Sequence, residues 1–192
     1  MINIFATLRF NIQAFGLLKG LRLPVFVYGN IKTDCIGKIR IHCHIRRRLI
    51  VIGTNHNTVV APYTLFHNKG IIDIYGRVIF NYGTTFVNNG HVIFRGNNAI
   101  GNQADININN KFDVGFNTFI GLKSHVTDSD FHYVIDVNTR KVCRNSSPII
   151  LGNYNWFGSN SFIKKGTITP DYLIVAAPFS MLSKDYTSLP PY

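Results

Sequence analysis

The segment TDSDFHYVID, residues 127–136, gathers three carboxylates and a histidine in a chain with only nine acidic residues among 192. Imidazole is the side chain whose ordinary pKa suits proton removal near neutrality. Set against a hydroxyl, it takes the proton as the oxygen attacks, which is worth about a hundred- to ten-thousand-fold in rate. A carboxylate on the far ring nitrogen fixes the tautomer and stabilises the imidazolium. His132 is the candidate base, with Asp130 and Asp128 as alternative orienting groups. Asp136 lies further downstream and is less suited.

Such a group needs a rigid frame, and the frame shows as a period of six. Leu151, Phe157, Ile163, Thr169, Val175 and Met181 form one ladder. Ile108, Val114, Ile120 and Val126 form a second. Phe94, Ile100 and Ile106 share the step, two residues out of phase, as a corner insertion near Asn109-Asn110 would produce. A helix repeats its apolar face every three to four residues and a strand every two. A period of six fits a coil with flat sides, each a short strand with one apolar side chain inward, stacked so that strands pair in parallel. The 21 Asn and 16 Gly, spread through the chain, supply the corners. Residues 94–126 and 151–183 thus read as parallel β-helix. GKIRI, IIDIYGRVIF and HVIF read as less regular coils between 30 and 93. Leu151 resumes the ladder well after Val126, so the span 127–148 must leave the wall as a loop. His132 sits just past its exit.

At the N-terminus, Ile4, Leu8, Ile12, Phe15 and Leu18 have near-helical spacing, and Pro24 ends the segment. We expect a helix that covers the open edge of the solenoid, with an interfacial helix on an anionic membrane as the alternative. The domain layout is a cap or amphipathic segment over 1–28, a β-helix over 29–186 and a tail over 187–192.

Formal charge is +11, which favours an anionic partner. No nucleic-acid-binding motif accompanies it, so nucleic acid is not expected. No apolar run reaches 18 residues, and a secretory leader pattern is lacking, so a cytoplasmic protein is expected. Cys35, Cys43 and Cys143 are read as free thiols. His42 and His44 in HCH would share one strand face but lack a second cluster, and His91, His125 and His132 are spaced too widely for a three-histidine centre. No metal is expected.

The stretch SPIILGNYNWFGSNSFIKKGTITPDYLIVAAPFSMLSKDY, residues 147–186, together with VTDSDFHYVI, resembles the hexapeptide-repeat acyltransferases, in the branch that O-acetylates bacterial surface sugars. LRLPVFVYGNIKTDCIGKIRI is similar to the same branch. The resemblance implies a left-handed parallel β-helix, a hand rare among parallel sheets, assembled as a homotrimer with acetyl-CoA between subunits. It implies His132 as the base for direct attack by a hydroxyl of a sugar in polysaccharide or lipopolysaccharide synthesis. The acceptor glycan could be lipid-linked, with peripheral contact at the inner membrane. By the same resemblance Trp156 lines the cleft, Ser159 and Ala177 border the pantetheine arm, and Lys184 with Lys164 or Lys165 meets the phosphates. The chain departs from the pattern at its end. TSLPPY stands where the family carries a Gly-x-Pro-Ala segment, and VAAPFSML is one residue long, which puts Met181 in question as a rung. A non-catalytic scaffold or glycan binder is the alternative those departures leave.

Overall fold

The computed structural model describes residues 1–54 and 63–188. After helix α1 (Ile4–Gly20) the chain winds through short strands, three to a full turn. The first coil is β1 (Val25–Val27), β2 (Ile31–Cys35) and β3 (Lys38–Ile41). The second is β4 (Ile50–Thr54), β5 (Thr64–Asn68) and β6 (Ile71–Ile74). The third is β7 (Val78–Asn81), β8 (Thr85–Asn88) and β9 (His91–Phe94), and the fourth β10 (Asn98–Ile100), β11 (Asp105–Ile108) and β12 (Lys111–Val114). The fifth has β13 (Phe119–Ile120), β14 (His125–Thr127) and β15 (Ile149–Leu151). Then come β16 (Trp156–Phe157), β17 (Phe162–Lys164), β18 (Ile174–Val175) and β19 (Met181–Leu182).

Corresponding strands pair in parallel into three walls. The first wall is β1-β4-β7-β10-β13-β16-β18, the second β2-β5-β8-β11-β14-β17-β19, and the third β3-β6-β9-β12-β15. Bridges from Ile150 to Ile168 and from Ile168 to Asp185 extend the third wall. This is a three-sided parallel β-helix, with the all-parallel walls a left-handed hexapeptide solenoid requires.

The inward side chains are the rungs read from the sequence. Phe94, Ile100, Ile106, Ile108, Val114, Ile120, Val126, Leu151, Phe157 and Ile163 are all buried. Each contributes about 1.5–3 kcal/mol by leaving water. The early coils are less regular, as expected: β2 and β5 stack 33 positions apart and β4 and β7 28, with a register shift between Ile52 and Thr54, yet all pair in parallel. Their axis is a column of phenylalanines: Phe10 packs edge-on to Phe66 at 5.6 Å, Phe66 stacks on Phe86 at 4.9 Å, and Phe80 meets Phe94 at 5.6 Å. Thr169, the polar rung, is buried and satisfied, accepting from Asn155 Nδ2 at 2.6 Å and Gly152 N at 3.0 Å. Met181 is not a rung. It points out, and Leu182 takes the inward place beside Ile163, because the extra residue in the preceding corner shifts the register by one.

Corners are tight enough to exclude Cβ atoms. A methyl group on Gly70 would lie 2.0 Å from Gly90 O, and one on Gly90 2.4 Å from Asn110 O. Asparagines fill other corners in stacks, with Asn88 Nδ2 donating to Asn68 Oδ1 at 2.7 Å.

The helix turns the usual pattern inside out. Its face toward the first coil carries Thr7, Phe10 and Asn11, all buried, whereas Ile4, Phe5, Leu8, Ile12 and Leu18 are exposed. The exposed edge of β1 explains why. An edge strand presents unpaired backbone groups, and hydrogen-bonding side chains satisfy them. Asn11 Nδ2 donates to Val25 O at 2.7 Å and Asn11 Oδ1 accepts from Val25 N at 3.0 Å, while Thr7 Oγ1 accepts from Val27 N at 3.1 Å. Four of the five residues of the apolar spacing, Ile4, Leu8, Ile12 and Leu18, therefore lie on the outer face, and only Phe15 packs against the core.

Candidate active site

The coil spacing locates the site's main departure. Stacked residues are 20 positions apart in the regular coils. They are 37 apart where β15 stacks on β12 and where the sixth coil, which starts with β16 and β17, stacks on the fifth, as for Thr118 and Asn155. The extra length is an arm between β14 and β15. Antiparallel bridges Ser129–Ser146 and Ile135–Val142 make it a hairpin, with Asp130 N donating to Asn145 O at 2.9 Å and Cys143 N to Val134 O at 2.7 Å. Asp136 builds its tip by accepting from Asn138 N at 2.8 Å and Thr139 N at 2.9 Å, contacts that hold its carboxyl below the usual range.

His132 lies on the outgoing side of this arm, exposed, just after Phe131 with φ of 61°. Its ring makes no hydrogen bond to the described residues. Neither candidate aspartate is joined to it within the chain. Asp128 is buried at the corner where the arm leaves the wall, in the position that Asn68 and Asn88 occupy in earlier coils. Its two oxygens accept from Asn109 N at 2.8 Å and Asn110 N at 2.7 Å. Burial raises its pKa, and these backbone donors only partly oppose the rise. Asp130 is half-buried at the arm's base and pairs with Lys165, whose ammonium also donates to Arg144 O at 3.1 Å.

Asp130, Lys164, Lys165, Met181 and Ser183 line a cavity of about 250 Å³ at the corner between the second and third walls. Lys184 follows directly, its ammonium 5.6 Å from the Tyr186 ring centroid. Trp156 lies elsewhere, on the outer surface of the first wall, half-exposed between Phe119 and Ile174. Ser159 and Ala177 sit on stacked corners between the first and second walls. The expected residues thus form two groups on opposite margins of the second wall. One is the arm with Asp130, Lys164 and Lys184; the other is Trp156, Ser159 and Ala177.

The three histidines weighed as a metal set are also separated. His91 belongs to the third wall, His125 stacks on Phe162 at 5.2 Å on the second, and His132 is on the arm. Among the described residues no group of three or more His, Cys, Asp or Glu side chains is arranged to hold a metal ion.

Sequence reasoning missed a charge cluster on the outer surface of the third wall. Asp73 accepts from Arg40 through both oxygens at 2.6 Å and contacts His42 Nε2 and His91 Nε2, each at 2.7 Å. Burial pulls the Asp73 pKa upward, but the hydrogen bonds from Arg40, His42 and His91 outweigh it and hold the carboxyl far below its usual range. The partners lie 33, 31 and 18 positions away. Only a known coil length would have aligned them. His42, first noticed in HCH, serves here and stacks on Tyr75 at 4.6 Å.

No family model and no curated protein matches the chain. Among solved structures, it is similar to the crystal structure of the polySia specific acetyltransferase NeuO. The likeness is at 16% identity over 84% of this chain and 69% of that one, with a TM-score of 0.42. No helix among the described residues is long and apolar enough to cross a membrane.

Proposed function

We propose that the chain is an O-acetyltransferase that moves an acetyl group from acetyl-CoA to a sugar hydroxyl of a surface glycan. His132 is the general base. The observation that carries this reading is the arm: it extends from the wall and presents an imidazole whose nitrogens the described residues leave unengaged. In the reaction the acceptor oxygen attacks the thioester carbonyl as His132 takes its proton. The C–O bond forms, the C–S bond breaks, and the proton returns from the imidazolium to the departing thiolate. No serine or cysteine nucleophile is required.

The orienting carboxylate in this reading is Asp130, since both oxygens of Asp128 accept from the corner backbone whereas Lys165 engages only Oδ2 of Asp130. Ser159 and Ala177 leave room for a slender pantetheine arm along their corner, and Lys164 and Lys184 supply charge for phosphates. Lys165 is taken up by Asp130. Because the two groups of residues flank the second wall, the reading requires a homotrimer, in which one subunit's arm faces the neighbour's Trp156, Ser159 and Ala177.

Thiol release from acetyl-CoA with a panel of glycan acceptors tests the proposal. His132→Ala is expected to lose at least about a hundredfold in turnover, with an unchanged circular dichroism spectrum and unchanged CoA binding. Near-normal turnover in that variant would refute His132. That no carboxylate among the described residues meets His132 favours one other reading, a β-helix scaffold or glycan binder without catalysis. Acetyl-CoA titration separates them, because a scaffold shows no saturable binding.

A further inference from the structure

The charge of this protein is concentrated at one end. Residues 1–74, through the second coil, hold ten of the 20 Lys and Arg but only two acidic side chains, Asp34 and Asp73, so +8 of the formal +11 resides there. Residues 1–33 contain Arg9, Lys19, Arg22 and Lys32 and no carboxylate side chain at all.

Helix α1 at this end has both faces accounted for, and the outer one is apolar. Thr7, Phe10 and Asn11 are spent on the first coil. Ile4, Leu8 and Ile12 form an outward stripe, with Phe5, 77% exposed, beside it. Gly16, with φ of 72°, breaks the helix and turns Leu17 and Leu18 outward, the latter 86% exposed. A continuous apolar surface of this kind marks an interaction site.

A basic corner adjoins the end of the helix. Arg48 N donates to Leu23 O at 3.4 Å, and its guanidinium lies 5.8 Å from the Tyr28 ring centroid. Arg46, Arg47, Arg48 and Arg77 line a cavity of about 220 Å³. None of the four forms an ion pair among the described residues, in contrast to Arg40 and Arg95, which are matched by Asp73 and Asp113. Uncompensated guanidiniums in one corner suit phosphate oxygens.

We propose that this end of the solenoid docks on an anionic membrane surface. The outer face of α1 lies among the acyl chains at the interface, and the arginine corner meets lipid phosphates. The charge distribution chooses this occupant over a second copy of the chain, since two such ends would bring +8 against +8. The proposal does not depend on the acyl-transfer reading.

Cosedimentation of the full chain with phosphatidylcholine vesicles, with and without about a third phosphatidylglycerol, tests it. Binding is expected to be at least about tenfold tighter on the anionic vesicles and to fall with salt. Leu8→Gln with Ile12→Gln is expected to cut that binding about tenfold or more without changing the circular dichroism. If that pair fails to fold, Phe5→Gln with Leu18→Gln replaces it. Arg46→Ser with Arg47→Ser is expected to weaken anionic binding about tenfold and leave the residual binding to neutral vesicles unchanged. No binding, equal binding to both vesicles, or wild-type binding in both variants overturns the proposal. So does a drop in solution mass caused by the apolar-face variants, which would assign the surface to a second copy.

Discussion

Lys165 holds Asp130 and the Arg144 carbonyl oxygen at once, so a single ammonium on the sixth coil pins both strands of the arm at its base. The pair is partly exposed, and pairs of that kind contribute about 0–1 kcal/mol. Lys165→Met is therefore expected to shift the melting temperature by no more than about 2–4 °C. Amide hydrogen exchange across residues 130–145 should nevertheless speed up clearly. Unchanged protection in the arm would show that the pin does nothing.

Asp128 is expected to matter for folding rather than for proton transfer. Asp128→Ala removes the acceptor of two part-buried hydrogen bonds, from Asn109 N and Asn110 N, at about 1 kcal/mol each. Denaturant unfolding should show that loss, while turnover per folded molecule stays near wild type. A variant of normal stability with abolished turnover would restore Asp128 as the partner of His132.

Acid should weaken the third wall through Asp73. A carboxyl with a depressed folded pKa contributes stability above its unfolded value and loses that contribution as pH falls toward the folded one. With an ordinary value of 3.8, the Asp73 contribution is complete at neutral pH and declines below about pH 4. Unfolding free energy measured against pH should fall over that acid range in the wild type. In Asp73→Asn it should start lower at pH 7 and change less. Parallel profiles for the two proteins would remove Asp73 from the account.

The register at the last corner can be checked with one charge at two adjacent positions. Leu182→Asp buries a carboxylate beside Ile163 and should collapse the final coil, with a loss of several kcal/mol seen in denaturant unfolding. Met181→Asp places it in solvent and should change stability by about 0.5 kcal/mol or less. The reverse order would return Met181 to the core.

Much of the wall was legible because inward residues of a flat-sided coil leave a period that neither helix nor strand produces, and Phe157, Ile163 and Ile120 fall on it. The arm was legible as a break in that period. Other features depended on what each residue meets across coils. Asp128 read in the sequence as an alternative orienting group for His132; one coil below Ile108, its oxygens accept from the corner backbone. Three steps of 20 from Asn68 and two from Asn88 carried that signal. The helix was found, but hydropathy assumes that the apolar side faces in, and the bare edge of β1 called for Thr7 and Asn11 instead. The Asp73 cluster was hidden because its members belong to three successive turns of the chain.

The arm begins and ends at a single bond, Ser147 N to Asp128 O at 3.0 Å. Its two ends are already joined by the wall's own hydrogen bonding, so strands above and below pair as though nothing had been inserted. Length and composition there can drift, be exchanged or be lost without retooling the scaffold. Under the acyl-transfer proposal, acceptor preference can thus change by editing one protrusion while the solenoid that carries it stays the same.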